Sequence, residues 1–418
     1  KDLEKARKIP EEFVKELSET TSKAFNAWEE ARKISNFKIF QPHLKKIVEL
    51  KKQEAKYINL PGHPYNSLLD SYEEGMTVEK LKPKFEILKT ELMELIKKIE
   101  SSEEYKKQVS FKKDFNKEYQ MEFVKDVAER IGLNPESSRI DLSTHPFTTK
   151  IGDSDVRITT NIRDSPMFSL LSTIHESGHA LYELNMPEKY KYTILCDAPS
   201  LGLHESQSRF WENMVGRNKP FWRYYFPKFK KKFQLKEDFN EWYKKINAVS
   251  KGKIRIESDE IHYCLHVILR FEIEIGLIDG SIKVEDLEKV WNKKMQDFFG
   301  ITPNNPVEGV LQDVHWSGGN FGYFPTYALG TIYASQIYNA LKKENPNIEK
   351  EIERGDYKKI SNWLKINIHQ KGRKYLAEEI IKQVCGKGLD IETYINYLTE
   401  KYSEIYNLKS KVRCATTA

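Results

Sequence analysis

His175-Glu176-Ser177-Gly178-His179 has the form H-E-x-x-H, which is typical of zinc hydrolases. Residues four apart lie on one face of a helix, so His175 and His179 can reach one metal ion at about 2.0–2.1 Å. Glu176 points away from the ligand direction, where its carboxylate can act on a water molecule. The chain has ten His and 62 Asp plus Glu among 418 residues, and at that composition chance gives roughly 0.04 such motifs. The stretch therefore predicts a catalytic metal site.

The residues around the motif predict a helix over 166–185. Ser165 suits the N-cap and Pro166 the first helical position. Apolar residues then recur at helical spacing, at Phe168, Leu171, Ile174, Leu181 and Leu184. Asn185-Met186-Pro187 ends the pattern. Such a helix can bury its motif on one side, whereas the alternative is a surface helix with two unrelated histidines.

Glu205 is the best candidate for a third ligand, because a catalytic zinc usually takes three from the protein. It lies in a second predicted helix, 201–217, which ends before Pro220. His204 and Glu212 are the rival ligands. A helix points His204 about 100° away from Glu205, and this favours the carboxylate.

Most of the remaining chain also has helical periodicity. It predicts helices over 1–35, 37–58, 78–100, 103–132, 236–250, 257–276, 284–299, 325–344 and 357–404. The main exception is 145–162, where two β-branched runs flank Gly152-Asp153-Ser154-Asp155 and predict a hairpin. A second pair of histidines four apart, His262 and His266, lies on an apolar helix face and predicts packing rather than a second metal site.

The segment 304–330 is a second exception, dense in Gly, Asn, Pro and aromatic residues. A long irregular segment is uncommon in a compact domain unless it has a function. His315, Tyr323 and Tyr327 within it are suitable donors to a substrate or an oxyanion. The alternative is a structural Ω-loop packed by its own aromatic rings.

Composition bounds the class of protein. At 418 residues, two or three domains would be typical, and a hydrophobic share of 39% supports a large core. No apolar run approaches the 18 or more residues of a membrane span, which predicts no membrane partner. The net charge of +6 arises from acids and bases interleaved along helices. That pattern is typical of solvated helix faces and predicts no nucleic-acid partner.

The cysteines are scattered along the chain, at Cys196, Cys264, Cys385 and Cys414. They predict reduced thiols in a cytoplasmic protein, and they fit neither a disulfide framework nor a paired metal spacing. The high Lys and Glu content suits a thermophilic protein. The small, polar tail 414–418 predicts a frayed terminus.

Six segments, in order along residues 145–330, resemble motifs of the carboxypeptidase Taq family of zinc metallocarboxypeptidases. They are His145-Pro146-Phe147, Asp155-Val156-Arg157-Ile158-Thr159, the H-E-x-x-H stretch, His204-Glu205-Ser206-Gln207, Ile254-Arg255-Ile256-Glu257-Ser258-Asp259, and Gly309-Val310-Leu311-Gln312-Asp313-Val314-His315-Trp316. The resemblance implies a mainly α, groove-containing zincin-like peptidase fold, similar to neurolysin and angiotensin-converting enzyme, with a small β-sheet beside the metal site. It also implies one catalytic domain over 1–418, formed by two helical lobes that flank a groove and lacking the N-terminal helices usual in the family.

The same resemblance implies a homodimer that removes single residues from peptides with a free C-terminus, with broad preference. Zn²⁺, or Co²⁺, would be held by His175, His179 and Glu205, and both metals suit these ligands. Glu176 would be the general base of peptide hydrolysis.

A carboxypeptidase must also recognise the terminal carboxylate of its substrate. Arginine binds a carboxylate bidentately, and the family motifs point to Arg255 first and to Arg157 second. The alternative for both is a structural ion pair with a neighbouring acid. His145 would line the terminal pocket.

The resemblance also implies a supporting role for two residues of the last motif, which would position other residues of the site. Gln312 and Asp313 would orient His315 or the metal shell, while Asp313 could equally brace the loop.

Two competing functions remain open from the sequence. The same chemistry could cut internally, as in a zinc oligopeptidase. A non-catalytic, zinc-stabilised helical binding protein is the more distant alternative, and Glu176 argues against it because a structural zinc site needs no base.

Overall fold

The computed structural model describes residues 2–108 and 115–408, so the predicted frayed tail and Cys414 lie outside the described part. Within that part the chain is mainly helical, as predicted. The α-helices are α1 (Asp2–Arg7), α2 (Glu11–Lys33), α3 (Phe37–Ile58), α4 (Asn66–Leu69), α5 (Val78–Glu100), α6 (Glu103–Lys106), α7 (Lys117–Ile131), α8 (Pro166–Leu184), α9 (Leu201–Arg209), α10 (Lys219–Phe233), α11 (Phe239–Ile246), α12 (Glu260–Asp279), α13 (Leu287–Phe299), α14 (Phe324–Glu344), α15 (Ile348–Glu353), α16 (Lys358–Asn367), α17 (Ala377–Cys385) and α18 (Ile391–Tyr406). Short 3₁₀ turns lie at Glu188–Tyr190, Arg255–Glu257, Val284–Asp286 and His369–Lys374, and a π-helical stretch at Phe210–Gly216.

A small sheet precedes α8 in the chain. Its strands, β1 (Ser138–Leu142), β2 (Thr148–Gly152) and β3 (Asp155–Thr160), lie in the order β1-β3-β2. β2 and β3 form the predicted antiparallel hairpin, with Thr148 opposite Ile158. β1 was not predicted and runs parallel to β3. The expected small sheet is therefore confirmed, with the hairpin as its larger part.

The helix that carries the metal motif rests on this sheet. Val156 and Ile158, two apart on β3, share one face of the strand and are fully buried. They pack with Ala128 of α7, Leu133 and Ala180 of α8 in one apolar cluster. Burying a Val or Ile side chain stabilises by roughly 1.5–3 kcal/mol, so the cluster holds α8 firmly against β3.

The ends of α8 are as the sequence predicts. The Ser165 side chain accepts a hydrogen bond from the backbone N–H of Met167, and Pro166 occupies the first turn. Asn185 is the C-cap.

The chain forms two compact units. One consists of Lys1–Lys89, Pro199–Glu205 and Ser250–Gly330, and the other of Thr90–Ala198, Ser206–Val249 and Thr331–Ala418. In the first unit α2 packs along α3, and in the second the sheet packs against α8. Each unit is assembled from three separate stretches of sequence.

Several predicted helix boundaries are wrong. The stretch 201–217 is α-helical only to Arg209 and π-helical beyond it, and Pro220 begins α10 instead of closing a helix. The predicted helix 357–404 is three α-helices, with breaks near Gly372 and at Gly386, whose φ values of 54° and 82° lie in the left-handed region. The irregular segment predicted over 304–330 ends at residue 323, because α14 begins at Phe324.

The described cysteines and the second pair of histidines lie at buried or partly buried positions. Cys196, Cys264 and Cys385 are free thiols. His262 pairs with Asp259 at 2.7 Å, and His266 lies 3.0 Å from the backbone oxygen of Gly252. Both rings are buried within α12 and serve packing.

Candidate metal centre and active site

The three predicted metal ligands come together. His175 and His179 lie one turn apart on α8, with ring centroids 4.9 Å apart and planes at 80°. One nitrogen of each ring and a carboxylate oxygen of Glu205 all lie within 4.8 Å of one another. Two imidazoles and one carboxylate are the donor set of many catalytic zinc sites, so these residues fit such an ion.

Glu212, a rival ligand in the sequence, lies behind His175. Its Oε2 is 2.9 Å from Nδ1 of His175, which leaves Nε2 of that ring to face a metal. Arg209 donates to the same oxygen at 3.1 Å. Burial raises the pKa of Glu212, but Arg209, the hydrogen bond with His175 and Arg217 together lower it to about 2. Glu212 is therefore an anion that fixes the orientation and tautomer of His175.

Glycine permits two close approaches at this centre. A Cβ atom at Gly178, inside the motif, would lie 2.6 Å from the backbone oxygen of Gln207 on α9. A Cβ atom at Gly330 on α14 would lie 2.6 Å from both Cβ and Cγ of Glu205. A real Cβ atom does not approach another heavy atom this closely. A larger residue at Gly178 would therefore displace α9, and one at Gly330 would displace Glu205.

Glu176 is buried beside the ligands, with 8% of its surface exposed. Thr148, the first residue of β2, places its hydroxyl 2.6 Å from Oε2 of Glu176 and 3.1 Å from the backbone oxygen of the same residue. The hairpin thus contacts the predicted general base directly.

Arg255 lies in a buried cluster formed around Asp313. Its Nε and Nη2 donate to Oδ1 of Asp313 at 3.1 and 2.8 Å, while Nη1 donates to Tyr263 at 3.2 Å. Arg270 of α12 donates to the other carboxylate oxygen at 2.7 Å. Burial raises the pKa of Asp313, but the two guanidinium groups hold it well below its usual range. Asp313 is therefore an anion clamped between two arginines.

The side chain of Gln312 forms hydrogen bonds with backbone groups of the same cluster. Its Oε1 accepts the backbone N–H of Arg255 at 2.9 Å, and its amide donates to the backbone oxygens of Lys253 and Glu308. Arg32 of α2 in turn donates to the backbone oxygen of Gln312 at 2.9 Å. Gln312 thus fixes the position of Arg255 rather than that of His315.

His315 and two tyrosines form an aromatic group in the same unit. Nε2 of His315 lies 3.0 Å from the hydroxyl of Tyr327, and the Tyr323 ring lies 5.2 Å from both of the other rings. Burial lowers the pKa of His315 to about 4 although Asp313 raises it, so the ring is neutral at pH 7. Its Nδ1 is buried without a hydrogen-bond partner among the described residues.

Arg157 and His145 lie at more exposed positions of the hairpin region. Arg157 on β3 donates to Asp155 from Nε and Nη2, at 3.1 and 2.8 Å, and its side chain is 39% exposed. His145 precedes β2 and is exposed. The structural ion pair that the sequence offered as an alternative for Arg157 is thus present.

Three residues of this region were not singled out from the sequence. Arg270 had a signal, because a lone cation within the apolar run of α12 implies a buried anion. Thr148 and Arg32 had none, since their partners are remote in the chain.

Comparison with known proteins agrees with this geometry. The family model "Carboxypeptidase Taq (M32) metallopeptidase" matches residues 1–402. The chain belongs to the M32 carboxypeptidase family. It is therefore a metallocarboxypeptidase, a hydrolase of peptide bonds that depends on a metal.

Relatives extend over nearly the whole chain. Carboxypeptidase 1 of Bacillus subtilis is 40% identical over 98% of this chain and 82% of its own length. Thermostable carboxypeptidase 1 of Pyrococcus furiosus is 38% identical over 95% of this chain and 81% of its own length. The crystal structure of the M32 carboxypeptidase from Deinococcus radiodurans superposes with a TM-score of 0.92 at 36% identity, over 97% of this chain and 82% of that one. This chain thus spans about four-fifths of these M32 relatives.

No helix among the described residues of this M32 carboxypeptidase is long and apolar enough to cross a membrane.

Proposed function

We propose that this M32 carboxypeptidase is a zinc enzyme that releases single C-terminal residues from peptides with broad preference. The observation that carries the proposal is the His175, His179 and Glu205 group with the buried Glu176 carboxylate on the same helix. When bound, the metal supplies Lewis-acid activation of water and of the scissile carbonyl. The chain's own residues hold that ion, position the proton acceptor and recognise the substrate terminus.

Glu176 accepts the proton of the attacking water and delivers it to the leaving amine. It is a suitable base because it lies on the same helix as His175 and His179 without being one of the three ligands. A positioned base of this kind contributes about 10²–10⁴ in rate.

The test of this assignment is Glu176→Gln, which retains the shape of the side chain but cannot accept the proton. We expect kcat to fall by about 10²–10⁴ while the zinc content stays at that of the wild type. Glu183→Gln is the matched control, because Glu183 lies on the same helix and pairs with Lys150. Near wild-type turnover by Glu176→Gln would show that the base is misassigned.

Exopeptidase and oligopeptidase activity can be distinguished by comparing two forms of one peptide, one with a free C-terminus and one with an amidated C-terminus. A carboxypeptidase cleaves the free acid and leaves the amide largely intact. Equal cleavage of both peptides would overturn the proposed release of C-terminal residues.

Arg255 is the proposed receptor for the terminal carboxylate. Its guanidinium has five N–H donors, of which Asp313 and Tyr263 engage three, so donors remain for a substrate. Asp313, Arg270 and Gln312 hold the group in one orientation. Such preorganisation favours a bidentate contact with an incoming carboxylate.

Lysine in place of Arg255 would keep the charge and lose the planar fork. We expect Arg255→Lys to lower kcat/KM for free-acid peptides by about 10–100-fold and to leave the residual cleavage of amidated peptides unchanged. Arg157→Lys, at an exposed ion pair, should have little effect. The reverse ranking of the two variants would assign the carboxylate to Arg157.

His315, Tyr327 and Tyr323 are the proposed donors to the oxyanion. The neutral ring of His315 and the adjoining hydroxyl of Tyr327 form a hydrogen-bonded pair that can present a proton to developing negative charge. A donor of this type is worth about 10²–10³ in rate.

A homodimer, a cytoplasmic location and a single catalytic domain over the whole chain also belong to this proposal. Light scattering on the purified protein tests whether it is a homodimer, and the mass of a monomer would contradict the proposal.

A further inference from the structure

A hydroxyl group from the hairpin contacts the carboxylate of Glu176, the proposed general base. Glu176 has three rotatable side-chain bonds, and a carboxylate on such a chain samples several positions unless something holds it. The side chain of Glu176 is contacted by Thr148, whose Oγ1 lies 2.6 Å from Oε2. Both residues belong to the same compact unit.

The hydroxyl proton is directed at the carboxylate rather than at the backbone. Threonine has one proton to donate, and two acceptors of Glu176 lie within reach, Oε2 at 2.6 Å and the backbone oxygen at 3.1 Å. A hydrogen bond from a hydroxyl to a carboxylate is short, about 2.5–2.7 Å, and stronger than one to a neutral carbonyl. Donation to Oε2 leaves Oε1 as the oxygen that is free to take a proton.

Thr148 itself is rigidly held. It pairs with Ile158 of β3, which is fully buried in the cluster that also contains Ala180 of α8. Its β-branched side chain has few rotamers. The hydroxyl and the helix that carries Glu176 are therefore anchored to the same packed core.

We propose that Thr148 is a positioning residue of the reaction, which orients the Glu176 carboxylate by donating to Oε2 so that Oε1 faces the attacking water. This inference rests on the proposed role of Glu176 as general base. A purely structural role, tying β2 to α8, would predict a loss of stability or substrate binding instead of a loss in kcat.

The experiment compares Thr148→Val, Thr148→Ser and Thr149→Val in the full-length, zinc-loaded protein. Valine keeps the shape and removes the hydroxyl, and serine restores it. Thr149 is the matched control, because the next residue on a strand points to the opposite face. For each variant, kcat, KM, zinc content and thermal midpoint are measured.

We expect Thr148→Val to lower kcat about 10-fold or more, with KM, zinc content and thermal midpoint close to wild type. Thr148→Ser should recover kcat to within about 3-fold, and Thr149→Val should match the wild type. Unchanged kcat in Thr148→Val, or a loss that appears in KM or the thermal midpoint and is not rescued by serine, would overturn the proposal.

Glu176→Gln, measured alongside, separates the two levels of inference. If it is inactive while Thr148→Val is fully active, only the role of Thr148 fails. If Glu176→Gln retains turnover, the assignment of the base fails and that of Thr148 with it.

Discussion

At the scale of single residues, the sequence predicts that His175 and His179 face one metal ion. It does not predict that Glu212 contacts the other side of the His175 ring. Residues four apart on an α-helix share a face wherever the helix lies, so the pair needs no tertiary information. Glu205 was the best candidate for the third ligand from the second predicted helix, and the family motif His204-Glu205-Ser206-Gln207 supported the same choice. Glu212 was a rival ligand from the sequence, whereas in the structure it lies in the π-helical stretch and its carboxylate is next to Nδ1 of His175.

Glu212 should control metal affinity rather than bind metal itself. Replacing it with Gln retains the shape but removes the anion that faces Nδ1 of His175. We expect the zinc dissociation constant to rise about 10–100-fold, as measured by competition with a chromophoric chelator. Glu188→Gln, at a side chain that is 87% exposed, is the control. A zinc affinity equal to that of the wild type would argue against this role.

At the scale of elements, α8 and the hairpin could be predicted because the residues that determine them are close in the sequence. β1 depends on a partner strand that is distant in the sequence. Ser165, Pro166 and Asn185 act within one turn of α8, so its ends could be predicted. β1 could not, because its partner β3 lies beyond the hairpin strand β2 in the sequence. Pro220 was taken as a helix end, although proline is equally at home in the first turn, where it begins α10.

The irregular segment before α14 is joined to α12 and α4 through one buried carboxylate. Glu274 of α12 accepts hydrogen bonds from Tyr65, Trp316 and the backbone N–H of Gly322, at 2.6, 2.8 and 3.0 Å. Burial raises the pKa of Glu274 to about 7 despite these donors. Its ordinary value is 4.5, so the folded state holds this proton more tightly than the unfolded state does.

The contribution of Glu274 to stability should therefore fall as pH rises from about 4.5 through about 7. Integrated over that range, the loss in the free energy of unfolding is about 3 kcal/mol. Glu274→Gln should be less stable than the wild type, because the amide group of Gln would face hydrogen-bond donors. The difference in the free energy of unfolding between the two proteins should be smaller at pH 8 than at pH 5. Urea unfolding at both values tests this, with the exposed Glu94→Gln as control. Parallel pH profiles of the wild type and Glu274→Gln would refute it.

At the scale of the whole molecule, the helical periodicity of apolar residues predicted a mainly helical protein, and the resemblance predicted a metallocarboxypeptidase. The division into two units was beyond local reasoning, because each unit combines three stretches far apart in the chain. Glu205 lies outside the H-E-x-x-H stretch, so the metal group does not follow from one local motif.

Metal binding should stabilise the folded protein, because its three ligands come together only in the folded chain. An ion that binds only the folded state at 100 times its dissociation constant adds about 2.7 kcal/mol. We expect chelator-treated protein to lose activity and to unfold at a lower temperature, and Zn²⁺ or Co²⁺ to restore both. Glu176→Gln should show the same thermal shift without activity. A melting temperature that is indifferent to zinc would contradict the proposed site.

The π-helical stretch Phe210–Gly216 makes this region sensitive to length as well as to residue identity. A π-helix closes its hydrogen bonds over one more residue than an α-helix does. Deleting one residue between Gln207 and Glu212 would allow a regular helix to form, and it would rotate the Glu212 carboxylate by about 100° about the helix axis. Single-residue deletions in most surface helices are expected to shift only solvated side chains. Here a loss of one codon would separate His175 from its anion while every motif residue remained in the gene.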